Sequence, residues 1–430
     1  MGCKQSKICS MQKLVFLLIV INLLNLGFSQ GKIENTNQNN APAIPQSSTF
    51  TNSVNTSNNF NLDTLQFIHV VEDEEIIQSE ENLSQPKSNS SIKKKTRTKS
   101  DDNSFSESDK KEEKSEKESS SINVSQQFST IYELSRMQDS RRSPTREQQI
   151  QLDKMVENLK NIDQNSIEYH LKKFVAGNYN IDLKDHLMAA YRLNSTNSEV
   201  LNQMVAVSII ESDTAKAKTL FNQLIENKQL DQSYIDYGSD MLVSTPTNST
   251  LITHSFNDSY GVIYNQFSNA LRTDVTVINL DFCQSADYRK QLQQKGYKIP
   301  VKTVIDTAFF SDFLKLNSNK PIAISLTLPK YYFQNAPIDL YTNGLVFTNI
   351  SNSESNVDLY ENKMNKKVMA QNSETSKKLA FNYLPVLFDI RKKYSEIQQT
   401  EKVREVDKLI DSIAKSSKKE NQINNMKNKN

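Results

Sequence analysis

A segment of about thirty residues, from Thr250 to Asn279, constrains the fold of this chain most. It opens with the apolar run Thr250-Leu-Ile-Thr253 and continues through the polar turn His254-Ser-Phe-Asn-Asp-Ser259. Apolar residues then recur at helical spacing as far as Leu271, and a second apolar run ends at Asn279. A strand, a helix and a parallel strand in this order form one β-α-β crossover. The sequence therefore predicts a parallel sheet built around this unit.

Residues 246–350 are predicted to complete the α/β domain. The second strand, Val275 to Leu280, is apolar on both faces, which is typical of a strand buried in a parallel sheet. The pattern predicts helices over 285–294 and 309–316, a third strand over 321–328, and a turn with a final edge strand over 339–347. We therefore expect a small three-layer, mostly parallel α/β domain.

Helical patterns flank this domain on both sides. Between residues 144 and 245 the run resembles tetratricopeptide repeats, because small residues stand where paired helices must approach closely. These residues are Ala189, Ala190, Ala206, Ala215 and Ala217. Such an array can bind a peptide or can only support the next domain, and both alternatives stay open. With C-terminal helices over 351–416, the predicted fold class is α/β plus all-α: a tetratricopeptide-like helical array, the α/β domain and a C-terminal helical pair.

The two ends of the chain have a different composition. Residues 1–30 contain a mostly apolar run of the length of a secretory signal, and the first ten residues precede a second possible start at Met11. We expect a cleaved signal peptide, with an uncleaved membrane anchor as the alternative, and no stable membrane span after cleavage. Residues 31–143 and 417–430 are polar and rich in charge, which predicts a disordered spacer and a disordered tail.

Composition excludes several classes of function. The net charge is +2, which gives no reason to expect nucleic-acid binding. The 8 glycines form no phosphate-binding loop, and Cys283 is the only cysteine after the predicted signal. We expect Cys283 to be a buried, inert thiol rather than a nucleophile, and we expect no cofactor and no metal site.

Polar residues follow the first two predicted strands at their carboxyl ends, where open α/β sheets place ligands. Asp258, Asn257 and Asp281 are therefore candidates for catalysis. The candidate ligand-binding residues are His254, Asn257, Asp258, Ser259 and Tyr260. The alternative is structural: Asp258 caps the following helix, Asn257 forms the turn, and His254 ends the strand.

A resemblance to a known family rests on the segment Arg272-Thr-Asp274-Val-Thr-Val-Ile-Asn279, supported by residues 321–328 and 340–346. This order resembles the soluble C-terminal portion of bacterial proteins related to the plexin O-mannosyltransferases. The resemblance covers about residues 150–416. It implies an α/β domain accompanied by tetratricopeptide repeats, in proteins whose membrane-embedded half performs glycosyl transfer.

The chain departs from this family in its first motif. Asp258, Ser259 and Tyr260 match it, but Ser255 stands where the family has a turn glycine, and Phe256 stands where it has an acid. We find no counterpart of the membrane-embedded half in the sequence. We therefore expect an exported bacterial cell-envelope protein, found in the periplasm or envelope, that acts as a non-catalytic accessory or scaffold for a partner protein or envelope component. The alternative is a glycan-binding or glycan-processing domain with its site at the carboxyl edge of the sheet.

Overall fold

A computed structural model describes residues 107–137, 141–334, 336–351 and 355–429. The predicted signal peptide and most of the predicted spacer lie outside these residues. Before the sheet, the helices are α1 (Glu107–Met137), α2 (Arg146–Asp163), α3 (Ile167–Ala176), α4 (Lys184–Leu193), α5 (Ser198–Ile210), α6 (Thr214–Glu226) and α7 (Gln232–Ser244), with a 3-10 turn at Ile181–Leu183.

Five of these helices, α2, α3, α5, α6 and α7, begin at a residue whose side chain caps the helix, whereas α4 follows the 3-10 turn without a side-chain cap. Thr145 and Gln148 form a reciprocal capping box at the start of α2, and Asn197 and Asp213 cap α5 and α6. From α2 to α6, consecutive helices pack against each other, so the segment forms a helical array, as predicted, while α7 packs mainly against the first helix after β1. Of the small residues, Ala190, Ala206 and Ala217 are fully buried, whereas Ala189 is half-buried and Ala215 is exposed.

Helix α1 lies within the range that was predicted to be a disordered spacer, so the prediction is wrong for residues 107–137. The first half of this helix carries the mixed charges that suggested disorder. Its second half buries Phe128 and Tyr132, and the helix packs against α2 and α3. Tertiary packing of a few apolar residues at helical spacing stabilises this helix. Composition alone does not show that such packing takes place.

The sheet has the strand order β2-β1-β3-β5-β4. Its strands are β1 (Thr250–Thr253), β2 (Thr276–Asn279), β3 (Ile322–Ser325), β4 (Tyr341–Asn343) and β5 (Val346–Thr348). Strands β2, β1 and β3 are parallel, whereas β5 and β4 form an antiparallel hairpin on the β3 side. The predicted final strand is thus two strands, and they are joined at Gly344, whose φ of +57° suits a tight turn.

Within the described residues, four helices belong to the connections of the α/β domain. They are α8 (Ser255–Asn269), α9 (Ala286–Gln294), α10 (Thr307–Leu316) and α11 (Lys330–Gln334), with a 3-10 turn at Asp281–Gln284 before α9. The sheet is the middle of three layers, because alternate residues of each strand enter different cores. Ile252 and Ile324 join the core shared with the helical array, and Leu251 and Ala323 join the core shared with the C-terminal helices.

The described residues of the C-terminal region form helices and helical turns joined by short loops. It contains α12 (Asn356–Asp358), a π-helical turn (Leu359–Lys363), 3-10 turns (Lys367–Ala370 and Phe381–Tyr383), α13 (Glu374–Ala380), α14 (Leu384–Glu396), α15 (Thr400–Ser416) and α16 (Glu420–Lys429). Helix α16 corrects the prediction of a disordered tail. Ile423 is fully buried there and Met426 packs against the same core, so two apolar residues one turn apart hold the helix in place. None of the described helices is long and apolar enough to cross a membrane.

Helices α7 and α8 cross at two glycines, Gly238 and Gly261. A Cβ atom placed on Gly261 would lie 1.9 Å from the carbonyl oxygen of Tyr234, which is a backbone atom and cannot move aside cheaply. We expect Gly261→Ala to lower the free energy of unfolding by about 2 kcal/mol, because the helices must separate. Urea denaturation measures this change.

The control for this prediction is Ser268→Ala, at an exposed position of the same helix. Alanine is a better helix former than glycine by about 1 kcal/mol, so without close contact Gly261→Ala would stabilise the protein. A more stable Gly261→Ala variant would therefore contradict the close approach of α7 and α8 at this glycine.

Candidate functional site

The candidate site lies where β1, β2 and β3 end at the carboxyl edge of the sheet. The chain leaves β1 at Thr253 and enters α8 within two residues, which requires Ser255 to adopt a φ of +51°. This tight turn points the first turn of α8 back at the ends of the neighbouring strands. It places Asp258 between His254 and the end of β3.

Asp258 is buried and accepts three hydrogen bonds. Its Oδ2 accepts from the backbone N–H of His254 at 3.0 Å, and its Oδ1 accepts from the hydroxyls of Ser325 at 2.8 Å and Thr327 at 2.6 Å. Burial raises the pKa of Asp258 from its ordinary 3.8 to about 6, although these bonds limit the rise. The carboxyl group thus joins the start of α8 to the end of β3.

Asp281 is buried directly after β2 and is paired with two arginines. Its Oδ1 accepts from Arg142 Nε at 2.5 Å and its Oδ2 from Arg142 Nη2 at 3.0 Å, while Arg136 also donates to Oδ2. The backbone N–H of Ser255 adds a bond to Oδ2 at 3.0 Å. Burial alone would raise the pKa of Asp281, but the two guanidiniums outweigh it and hold the pKa well below its usual range. This ion pair connects α1 and the segment after it to the sheet.

The remaining predicted ligand-binding residues have different environments. His254 is buried, and its Nε2 lies 2.9 Å from the carbonyl oxygen of Thr327. Ser259 is buried, and Tyr260 donates to the carbonyl oxygen of Asn202 at 2.5 Å. Asn257 alone among the predicted residues is exposed. The structure therefore brings His254, Asp258 and Asp281 to one edge, with their polar groups directed into the protein.

The segment that carries the family resemblance has structural roles. Arg272 donates to the carbonyl oxygens of Leu242 and Thr245 at the end of α7, at 2.9 and 2.7 Å, and binds Asp274 through two bonds of 2.9 Å. At the other end of β2, Asn279 donates to the Ser255 carbonyl oxygen at 3.0 Å and to Ser259 Oγ at 2.8 Å. Its own Oδ1 accepts from the backbone N–H of Asp281 at 2.8 Å. The segment thus fixes both ends of the strand.

Sequence reasoning missed four residues of this network: Arg136, Arg142, Ser325 and Thr327. The hydroxyls gave no signal, because Ser and Thr are common at strand ends. The arginines lay in the range predicted to be a spacer. One clue was present, since Asp281 follows a strand predicted to be buried, and a buried carboxylate needs a cationic partner.

The arrangement restricts the chemistry available at this edge. Both predicted catalytic carboxyl groups are buried and bonded to protein groups, and Cys283 is buried with its pKa raised to about 12, as expected of an inert thiol. In the part of the chain that the structure describes, no group of three or more His, Cys, Asp or Glu residues is placed to hold a metal ion.

The left-handed conformation of Ser255 yields a direct test of the turn. A non-glycine residue at this φ is strained by about 1 kcal/mol, and the Ser255 side chain makes none of the hydrogen bonds that hold the turn within the described residues. We expect Ser255→Gly to leave the protein as stable or to stabilise it by up to about 1 kcal/mol. Thermal unfolding measures this, with Ser268→Gly as a control that should destabilise the same helix. Equal losses in both variants would contradict the strained turn.

Comparison with known proteins gives one finding that bears on the fold. Residues 234–428 match the family model described as TMEM260-associated domain 2, which covers less than half of the 430-residue chain. The match begins in α7 and includes the α/β domain and the C-terminal helices. Neither a curated protein nor a solved structure matches the chain significantly.

Proposed function

We propose that this chain is a non-catalytic accessory module of an exported envelope protein, which binds a partner protein or an envelope component. The proposal rests mainly on one observation: the carboxyl groups at the carboxyl edge of the sheet are buried and bonded to other parts of the protein. Asp258 and Asp281 are committed to bonds that hold the fold together, so the edge serves as a structural joint. A catalytic acid or base must reach its substrate, and these two carboxyl groups are buried.

The similarity to known families supports the same proposal of a non-catalytic accessory module. The resemblance to the soluble portion of proteins related to the plexin O-mannosyltransferases and the match to TMEM260-associated domain 2 overlap over residues 234–416. Within that overlap, Arg272 and Asn279 hold backbone segments together. We infer that this chain keeps the fold of such an associated domain and uses its surface for binding.

The proposal is tested by comparing capture of a partner by three forms of the full chain. The wild type, Asn257→Ala and Asp258→Asn are immobilised and exposed to an envelope extract, and the recovered component is purified and bound again. We expect one component to bind all three forms in the same ratio, because neither residue belongs to the binding surface under this proposal.

Two outcomes would overturn the proposal. One is recovery of the chain alone, with no component that binds again after purification. The other is loss of glycan binding or of an enzymatic activity in Asp258→Asn at unchanged melting temperature, which would make the sheet edge a working site. Asn257→Ala provides an independent test of this second outcome, because its exposed side chain can be removed without disturbing the buried network.

A further inference from the structure

A groove of about 400 Å³ lies on the C-terminal helices, in a part of the fold separate from the sheet edge. Its lining comes from the π-helical turn, the loop after it, and α14 and α15. The residues are Tyr360, Glu361, Asn362, Lys366, Tyr394, Lys402, Glu405 and Val406. Small-molecule sites commonly have volumes of about 300–1,000 Å³, so the groove is large enough for a ligand of one or two rings.

The backbone on one side of this groove is unusual in two ways. Residues Leu359–Lys363 form a π-helical turn, a rare conformation that is frequent at functional sites. Lys366 follows with a φ of +59°, which is strained for a residue with a side chain. Both features place polar side chains on the groove: Glu361 and Asn362 from the turn, and Lys366 from the loop.

A buried carboxylate holds this strained loop in place. Asp240, in α7, accepts hydrogen bonds from the backbone N–H groups of Asn365 at 2.6 Å and Lys366 at 3.2 Å, and from the hydroxyl of Tyr383 at 2.7 Å. A backbone strained in this way persists only where its surroundings determine it. The groove is therefore a built feature of the fold.

The groove contains hydrogen-bonding groups that the protein does not use. Glu361 accepts from the Tyr394 hydroxyl at 2.6 Å and from Lys402 Nζ at 2.8 Å, but both bonds go to Oε1. Within the described residues, neither Glu361 Oε2 nor the side chains of Lys366 and Glu405 make a hydrogen bond. Lys366 Nζ lies 4.7 Å from the centre of the Tyr360 ring. Acceptors, a donor and a half-buried aromatic ring thus line one groove.

This combination favours one class of ligand. Two lysines and two glutamates balance in charge, which is unfavourable for phosphate or nucleic acid, since such ligands would meet both carboxylates. The mostly polar lining does not suit an apolar ligand. Hydroxyl groups both donate and accept, so a hydroxyl-rich ligand satisfies carboxylates and ammonium together, while its C–H faces pack on a tyrosine ring. We propose that this groove binds a neutral carbohydrate through Tyr360, Glu361, Lys366 and Glu405.

The test uses the full chain and a panel of methyl pyranosides differing in their axial and equatorial hydroxyls. Saturation-transfer NMR detects binding, and titration gives the dissociation constant. We expect at least one pyranoside to bind, and Glu405→Gln and Lys366→Ala each to weaken it about tenfold, the effect of losing one hydrogen bond to a charged group. Lys408→Ala, which removes an exposed lysine of α15 outside the groove, should leave binding unchanged.

Several results would overturn the assignment. Absence of saturation transfer for every pyranoside would do so, as would binding that survives both Lys366→Ala and Glu405→Gln. Inorganic phosphate and glycine serve as charged probes, and selective binding of either would show a site for an anion or a zwitterion. Circular dichroism checks folding. If Lys366→Ala disturbs the loop, Glu405→Gln still tests the groove, because Glu405 is an exposed residue of α15 and does not belong to that loop. The proposal is independent of the sheet edge, so Asp258→Asn should bind the same pyranoside as the wild type.

Discussion

Asp281→Asn is expected to lower the free energy of unfolding by about 3–5 kcal/mol, the loss that follows when one member of a buried ion pair is removed. The side chain of Asp281 is 1% exposed and that of Arg142 is 5% exposed, so water cannot replace the lost charge. Asparagine keeps the shape but removes the negative charge that pairs with the guanidiniums of Arg136 and Arg142. Chemical denaturation measures the loss.

The control is Asp287→Asn, six residues further along in an exposed position of α9. Because Arg136 belongs to α1, Asp281→Asn should also expose α1 to trypsin while the helices from α2 onward stay protected. A protein that keeps its stability and its protease resistance would contradict the role given to the ion pair.

A compensating variant separates lost charge balance from lost shape. Replacing the set with apolar residues of similar size, in Arg136→Met, Arg142→Met and Asp281→Leu together, removes all three charges. We expect this triple variant to regain most of the stability, because apolar replacement of a complete buried charge group is often neutral or stabilising. If the triple variant is as unstable as Asp281→Asn, then the hydrogen-bond geometry of these side chains, and not their charge balance, holds α1 and the residues after it to the sheet.

The sequence predicted the centre of the fold more accurately than its edges. The crossover from Thr250 to Asn279 was predictable because apolar runs and turn residues alternate there at the spacing that parallel strands need. Helix α1 was not, because its buried residues are few and follow a charged half. The hairpin of β4 and β5 was missed for a related reason: strands of three residues are too short to show a period.

The sequence predicted where the candidate site lies, but it did not predict whether its carboxyl groups are buried or open to a ligand. Strand ends identified Asp258 and Asp281, and the structure brings them to the same edge. Their burial depends on partners far away in the sequence: Arg142 is 139 positions from Asp281, and Thr327 is 69 positions from Asp258. No local pattern indicates whether such distant residues cover a carboxylate or leave it open to a ligand. The groove at Lys366 also depends on a residue distant in the sequence, because Asp240, which holds its loop in place, lies in α7.

The stability of the protein should depend on pH through Asp258, in the direction opposite to Asp281. Burial raises the pKa of Asp258 from 3.8 to about 6, so between these pH values the folded state binds more protons than the unfolded state. Stability therefore falls as the pH rises through this window, and a rise of this size corresponds to about 3 kcal/mol. Asp281, with its lowered pKa, contributes stability that is present above the ordinary pKa and is lost as the pH falls below it.

Comparison with Asp258→Asn isolates this effect, because Asp281 is common to both proteins and cancels in the difference. The stability of the wild type minus that of the variant should fall by about 3 kcal/mol between about pH 4 and pH 7. Thr327→Val removes one bond to the ionised carboxylate and should make the fall larger, whereas Thr400→Val, at an exposed position, should not. A difference that stays flat, or that grows with pH, would mean that the three hydrogen bonds fully offset the burial of the charge. Carboxyl ¹³C titration of Asp258 decides the same point directly, with an inflection expected near pH 6.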